Sequence, residues 1–170
     1  MRKFIIIING TGGCGKDTFV EYVSEFANAI NFSSIDKVKE IATYIGWGGQ
    51  KTEKDRKFLS DLKKLTTEYN DMSFNSIEEA VEKFKTSDSN ILFIHIREPE
   101  EIQRAVEHFE ALTLLIKRED QEIITSNYSD ANVENYDYDF KIINNSLEQL
   151  DKDAELFVKN LNRTKEDHER

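Results

Sequence analysis

Apolar residues follow two rhythms along this chain. Short unbroken runs alternate with longer stretches in which apolar positions recur every three or four residues. The first run, Phe4-Ile5-Ile6-Ile7-Ile8, predicts a strand over 3–8 that is covered on both faces. Phe19, Val20, Val23 and Phe26 then share one helical face,. Further short runs predict strands over 29–32, 90–96, 112–116 and 140–143,. Helical spacing fills the gaps. Ser33 or Ser34 can cap a helix that runs through Tyr44 and ends at Gly46,. Gly46-Trp47-Gly48-Gly49 is a turn, and 53–69 carries a stripe of Phe58, Leu62, Leu65 and Tyr69. Asn75 or Ser76 starts the next helix, with Ile77, Ala80, Val81 and Phe84 inward. Glu98-Pro99-Glu100-Glu101 opens another, with proline and acids suiting a first turn,. Ser146 caps the last, which uses Leu147, Leu150, Ala154, Phe157 and Leu161. Residues 119–137 are polar and receive no assignment.

Strands alternating with helices imply a parallel sheet with helices on both faces. The expected fold is therefore α/β, a three-layer α/β/α arrangement around a five-stranded parallel sheet. One domain over 1–161 precedes a charged tail, 162–170. At 170 residues the chain is long enough for a substantial core,. The net charge of −10 disfavours nucleic-acid binding, which needs basic surface,. It also means that an anionic ligand must be held by a local cluster of Lys and Arg. No segment reaches the roughly 20 apolar residues of a membrane span. A single cysteine excludes an internal disulfide, and a cytoplasmic setting is the default expectation.

The candidate chemistry follows the first strand directly. Residues 9–18 read Asn-Gly-Thr-Gly-Gly-Cys-Gly-Lys-Asp-Thr. Gly10, Gly15 and Lys16 fit the G-x-x-x-x-G-K frame of a phosphate-binding loop, between a buried strand and an amphipathic helix as that motif requires. Gly12 and Gly13 add backbone freedom, so that successive N–H groups can approach phosphate oxygens. The helix starting near Lys16 points its positive dipole end at the same anion, and Lys16 would reach the β/γ-phosphates. The following position, which should be Ser or Thr, is Asp17, then Thr18. A carboxylate is an adequate hard ligand for magnesium. Cys14 reads as a small residue that fits the loop, or as a thiol activated by the helix N-terminus.

Gly-Lys-Asp-Thr resembles one branch of the P-loop kinases, the phage-type deoxynucleoside monophosphate kinases and, more distantly, the animal phosphomevalonate kinases. Three other stretches resemble the first group. They are Phe32 to Lys57, His95-Ile96-Arg97-Glu98-Pro99-Glu100-Glu101, and Ile142-Ile143-Asn144-Asn145-Ser146-Leu147-Glu148-Gln149-Leu150. The resemblance implies a P-loop NTPase fold, ATP and Mg2+ as cofactors, an acceptor-binding helical insertion at about 47–86 and a lid at about 118–138. It places Asn144 near the nucleotide base. It also implies an ATP-dependent phosphotransferase with a small phosphorylated acceptor, foremost a (deoxy)nucleoside monophosphate. Neither nucleic acid nor membrane is an expected partner, and a homodimer stays open.

In open parallel sheets ligands bind beyond the carboxyl ends of the strands. That edge should gather Asn9 to Thr18, Ser33 to Asp36 (with Ser34 and Asp36 as acceptor-binding candidates), His95 to Glu98, and Lys117-Arg118. Arg97 reads as the clamp on the acceptor phosphate, or as an ion-pair partner of Glu101. Arg56 is a second acceptor candidate or part of a solvated helix face, and Arg118 is the candidate lid residue. Two features depart from the family. His95 stands where relatives carry Asp, and reads as a satisfied histidine or a hydrogen-bonding partner of the acceptor. Between Lys117 and Phe140 the only basic residues are Lys117 and Arg118, against Glu119, Asp120, Glu122, Asp130, Glu134, Asp137 and Asp139. These departures favour a second class, a kinase-fold regulatory protein that binds nucleotide with little transfer; within enzymes, the alternative is a kinase for a non-nucleotide phosphorylated acceptor.

Overall fold

The computed structural model describes residues 2–118 and 133–163. In chain order they form β1 (Phe4–Asn9), α1 (Lys16–Phe26), β2 (Ala29–Ser33), α2 (Asp36–Tyr44), α3 (Glu53–Asn70), α4 (Met72–Thr86), β3 (Ile91–His95), α5 (Pro99–Phe109), β4 (Leu112–Lys117), β5 (Phe140–Ile143) and α6 (Leu147–Arg163). The strands make one parallel sheet in the order β2-β3-β1-β4-β5. The α/β class and the five-stranded parallel sheet are as expected.

The chain divides into two compact units, one built from residues up to Asn31 and from Ser87 onward, the other spanning Phe32–Thr86. In the first, β1 is the central strand, flanked by β3 and β4 in register. Ile6 lies level with Phe93 and Leu112, and Ile8 with His95. Alternate residues of β1 go to opposite faces. Phe4, Ile6 and Ile8 join Phe93, Leu114 and Ile116 in one core with Phe19, Val20 and Val23 of α1 and Leu150, Ala154, Phe157 and Leu161 of α6. Phe157 is the hub, with its ring 5.5 Å from Phe19 and 5.1 Å from Phe140, both edge-on. On the opposite face of the sheet, Ile7, Leu92 and Ile94 are buried, as are Ile102 and Ala105 of α5. Burial on both faces explains why β1 and β3 read as continuous apolar runs.

Several local expectations need correction. Phe26 and Leu147 are exposed rather than inward. Each sits at a helix end, Phe26 closing α1 and Leu147 opening α6. Helix α6 continues to Arg163, two residues into the expected tail. Ser146 does cap it, since its Oγ accepts from the Gln149 N–H at 3.1 Å.

The second unit holds α2, α3 and α4, with Val38, Ala42, Phe74, Ile77, Val81 and Phe84 buried. Neither Ser33 nor Ser34 caps α2. Ile35 is at the N-cap without a side-chain bond, and the Asp36 carboxylate reaches back to accept from Ser33 N–H at 3.1 Å. Helix α3 starts with a reciprocal capping box between Thr52 and Asp55,. Its predicted stripe is half wrong. Phe58 and Leu62 are half-buried, but Leu65 is 64% and Tyr69 85% exposed. Helix α4 begins a turn before the expected Asn75, after Asp71 adopts a left-handed conformation (φ 56°) that ends α3. Asn75 instead donates from its amide to the Asn70 carbonyl at 2.8 Å.

Candidate functional site

The chain leaves β1 toward one edge of the sheet, through α1 to β2, and leaves β4 toward the other edge, to β5. This reversal puts the crevice at the carboxyl end of β1. The loop from Gly10 to Gly15 lies there. Gly10 has φ +148°, and a methyl group on it would collide with the Ile116 carbonyl oxygen and with Cys14 Sγ. Gly15 has φ +102°, and a methyl there would collide with the Asn144 amide nitrogen. Both glycines are therefore required by space as well as by backbone conformation. Around Gly12 there is open space.

Lys16 folds back across the loop. Its ammonium donates to the carbonyls of Gly10 (2.6 Å) and Thr11 (2.9 Å) and lies 3.7 Å from Cys14 Sγ. Burial lowers the pKa of Lys16, and the positive charge of Arg97 lowers it further, while Cys14 and Asp17 act in the opposite sense. Arg97 is thus close enough to be felt by the loop lysine. Two cations share one corner of a protein whose net charge is −10, and an anion between them would relieve their repulsion. Helix α1 has Gly15 at its N-cap with no side-chain cap bond. The N–H groups of its first turn therefore have no capping side chain and point toward the same corner.

Beneath the loop, buried Asn144 donates from its amide to the Cys14 carbonyl at 2.9 Å. The structure therefore places Asn144 as a brace of the loop. Cys14 is fully buried in the core beside α1 and α6, which is the small-residue reading of that cysteine. Asn9, also buried, is a junction. Its oxygen accepts from Gly10 N–H (2.8 Å), and its amide nitrogen donates to the Tyr138 hydroxyl (2.7 Å) and the Arg97 carbonyl (3.3 Å). Tyr138 in turn donates to the Val133 carbonyl at 2.8 Å. Burial raises its pKa to about 12.

Asp17, in the first turn of α1, is 81% exposed. Its Oδ1 accepts from the Asn31 amide at 3.3 Å, and no described residue bonds its Oδ2. Among the described residues no group of three or more His, Cys, Asp or Glu could hold a metal by itself. A magnesium ion that arrives on a nucleotide needs only one or two carboxylates, with phosphate and water completing its shell. The exposed Asp17 carboxylate, with half-buried Thr18 next to it, fits that demand. His95 contacts Asn31, with Nε2 2.6 Å from the amide oxygen.

No family model matches this sequence, and no curated protein matches it.

The first unit thus assembles Gly10, Gly12, Gly13, Cys14, Gly15, Lys16, Asp17, Thr18, His95, Arg97 and Asn144. Ser34, Asp36 and Arg56 belong to the second unit. There Ser34 is buried, Asp36 serves the start of α2 and lies 3.5 Å from Lys39 Nζ, and Arg56 is exposed on α3. Arg118 is exposed, and residues 119–132 of the expected lid lie outside the described residues. Of the acids counted between Lys117 and Phe140, Asp139 is structural: its carboxylate accepts from both the N–H and the hydroxyl of Thr113 at 2.8 Å. Glu134 pairs with Lys117 at 2.5 Å. Two polar residues went unnoticed in the sequence: Asn31 and Tyr138. Asn9 had a visible signal, since it is the polar residue that ends an otherwise apolar strand. Asn31 and Tyr138 are picked out only by what the fold places opposite them.

Among the described residues no helix is long and apolar enough to cross a membrane.

Proposed function

We propose that this chain is an ATP-dependent phosphotransferase that moves the γ-phosphoryl group of ATP to a small phosphorylated acceptor, with a (deoxy)nucleoside monophosphate as the favoured acceptor. One observation carries the reading. At the carboxyl end of the central strand, the Lys16 ammonium is folded onto a loop whose two end glycines have no room for a side chain, and Arg97 is its cationic neighbour. Lys16 and the first turn of α1 would hold the β- and γ-phosphates. When the nucleotide binds, its lysine bonds to Gly10 and Thr11 are exchanged for phosphate oxygens. Arg97 would grip the acceptor phosphate with two parallel N–H bonds. In the transfer an acceptor phosphate oxygen forms a bond to the γ-phosphorus, and the bond to the bridging oxygen breaks. That oxygen keeps the electron pair and leaves on ADP. Charge neutralisation and alignment supply most of the catalysis in such reactions, and that is what this corner of the molecule offers. Asp17 and Thr18 would hold magnesium, which supplies further neutralisation of the phosphates when bound.

A regulatory nucleotide-binding role with little transfer is the second reading, and His95 favours it. The imidazole stands at the end of β3 and is engaged by Asn31, so it adds no hard oxygen ligand for magnesium. A coupled ADP-release assay across nucleoside monophosphates separates the two readings. Acceptor-stimulated ADP release supports the enzyme, and tight ATP binding without it supports the regulator.

A further inference from the structure

Asp17 is a short side chain at 81% exposure, and by itself it would sample several rotamers in water. Asn31, at the end of the first unit, stands against it. The bond pattern there has one consistent solution. A carboxylate can only accept, so the atom of Asn31 facing Asp17 at 3.3 Å is the amide nitrogen,. The amide oxygen must then face His95, 2.6 Å from Nε2. An amide oxygen also only accepts, so His95 carries its proton on Nε2 and donates it. His95 and Asp17 themselves are 3.8 Å apart, too far for a direct hydrogen bond,. Asn31 is the intermediary.

We propose that Asn31 is a positioning residue that aims the Asp17 carboxylate, and that His95 fixes the orientation of the Asn31 amide. This rests on the phosphotransferase reading and deepens it. The chain His95–Asn31–Asp17 orders one carboxylate rotamer beside the phosphate loop. It ties up Oδ1 and leaves Oδ2 without a bond from any described residue, ready for the metal side of a metal–nucleotide complex. Partners that orient a ligand in this way commonly account for a tenfold or larger share of metal affinity. The imidazole at position 95 therefore acts on magnesium at second hand, through an amide.

Asn31 is exposed, so Asn31→Ala leaves the core alone. Calorimetric titration of ATP, in magnesium and separately in EDTA, gives the gain in ATP affinity due to magnesium for each variant. In Asn31→Ala that gain should fall about tenfold, with the EDTA affinity within about twofold of wild type. His95→Leu should behave likewise, and His95→Gln, whose amide can still donate to Asn31, should recover most of the loss. An unchanged magnesium gain in Asn31→Ala would overturn the inference. So would an equal loss in both solutions, which marks a merely structural role, or a His95→Gln no better than His95→Leu. If wild type binds no ATP in either solution, the phosphotransferase reading falls and this inference with it. ATP binding with an unaltered magnesium gain removes the inference alone.

Discussion

Gly15 and Asn144 offer a double-mutant cycle whose outcome can be worked from the geometry. In Gly15→Ala the new methyl would overlap the Asn144 amide nitrogen, and the backbone sits at φ +102°. The obstructing amide cannot swing away cheaply. It is bonded to the Cys14 carbonyl at 2.9 Å, and its own backbone N–H is bonded to Lys117 at 2.7 Å. Left-handed backbone costs a non-glycine residue about 1–2 kcal/mol, and overpacking adds about 1–3 kcal/mol. In Asn144→Ala the buried Cys14 carbonyl loses its donor, which costs about 1–3 kcal/mol. Together the single changes would consume about 3–8 kcal/mol of a domain stability of order 5–15 kcal/mol. In the double variant the amide is gone and the methyl occupies its space. The overpacking disappears, whereas the backbone strain and the orphaned carbonyl remain. The double variant should therefore be more stable than additivity predicts by about 1–3 kcal/mol, well outside the roughly 0.3–0.5 kcal/mol scatter of independent sites. Urea unfolding followed by circular dichroism measures all four proteins. Additivity within about 0.5 kcal/mol would refute the claim that Asn144 is the wall against which Gly15 is packed.

Arg97→Ala should raise the dissociation constant of the acceptor monophosphate about tenfold to a hundredfold and leave ATP affinity nearly unchanged. An unaltered acceptor affinity returns Arg97 to a structural role. Tyr138 is held neutral by burial, with its pKa raised from 10.0 to about 12. The folded state therefore keeps its phenolic proton where the unfolded chain has lost it, so this contribution to stability is complete below pH 10 and is lost as the pH rises toward 12,. Unfolding measured across that range should show wild type losing stability more steeply than Tyr138→Phe, and equal slopes would contradict the assignment.

Much of the fold was legible because its central strands are buried on both faces. Ile5 to Ile8 and Ile91 to Ile94 have no polar interruption, so neither their type nor their place was in doubt. The glycine loop from Gly10 to Gly15 was legible because its glycines answer to local backbone demands. Helix faces were less secure. On α3, Leu65 and Tyr69 continue the spacing of Phe58 and Leu62 yet stand in solvent, because periodicity reports a face and not how far along the helix a neighbour covers it. The cap of α2 was misplaced because the Asp36 carboxylate reaches back to the Ser33 N–H and Ile35, which has no capping side chain, takes the N-cap position. Asn31 and Tyr138 had no signal at all. Each acquires its role from a partner far along the chain, His95 in one case and Asn9 in the other.

The most direct test of the account is calorimetric titration of magnesium-ATP into wild type and Lys16→Ala, with the melting temperature of each recorded. Lys16 donates to the loop carbonyls of Gly10 and Thr11, and in the proposed function it would hold the triphosphate. The variant should melt within about 5 °C of wild type and bind ATP at least tenfold more weakly, as expected for loss of a charge-assisted phosphate contact of about 1.5–3 kcal/mol. A folded Lys16→Ala protein that binds ATP as tightly as wild type would contradict the assignment of Gly10 to Thr18 as the nucleotide site.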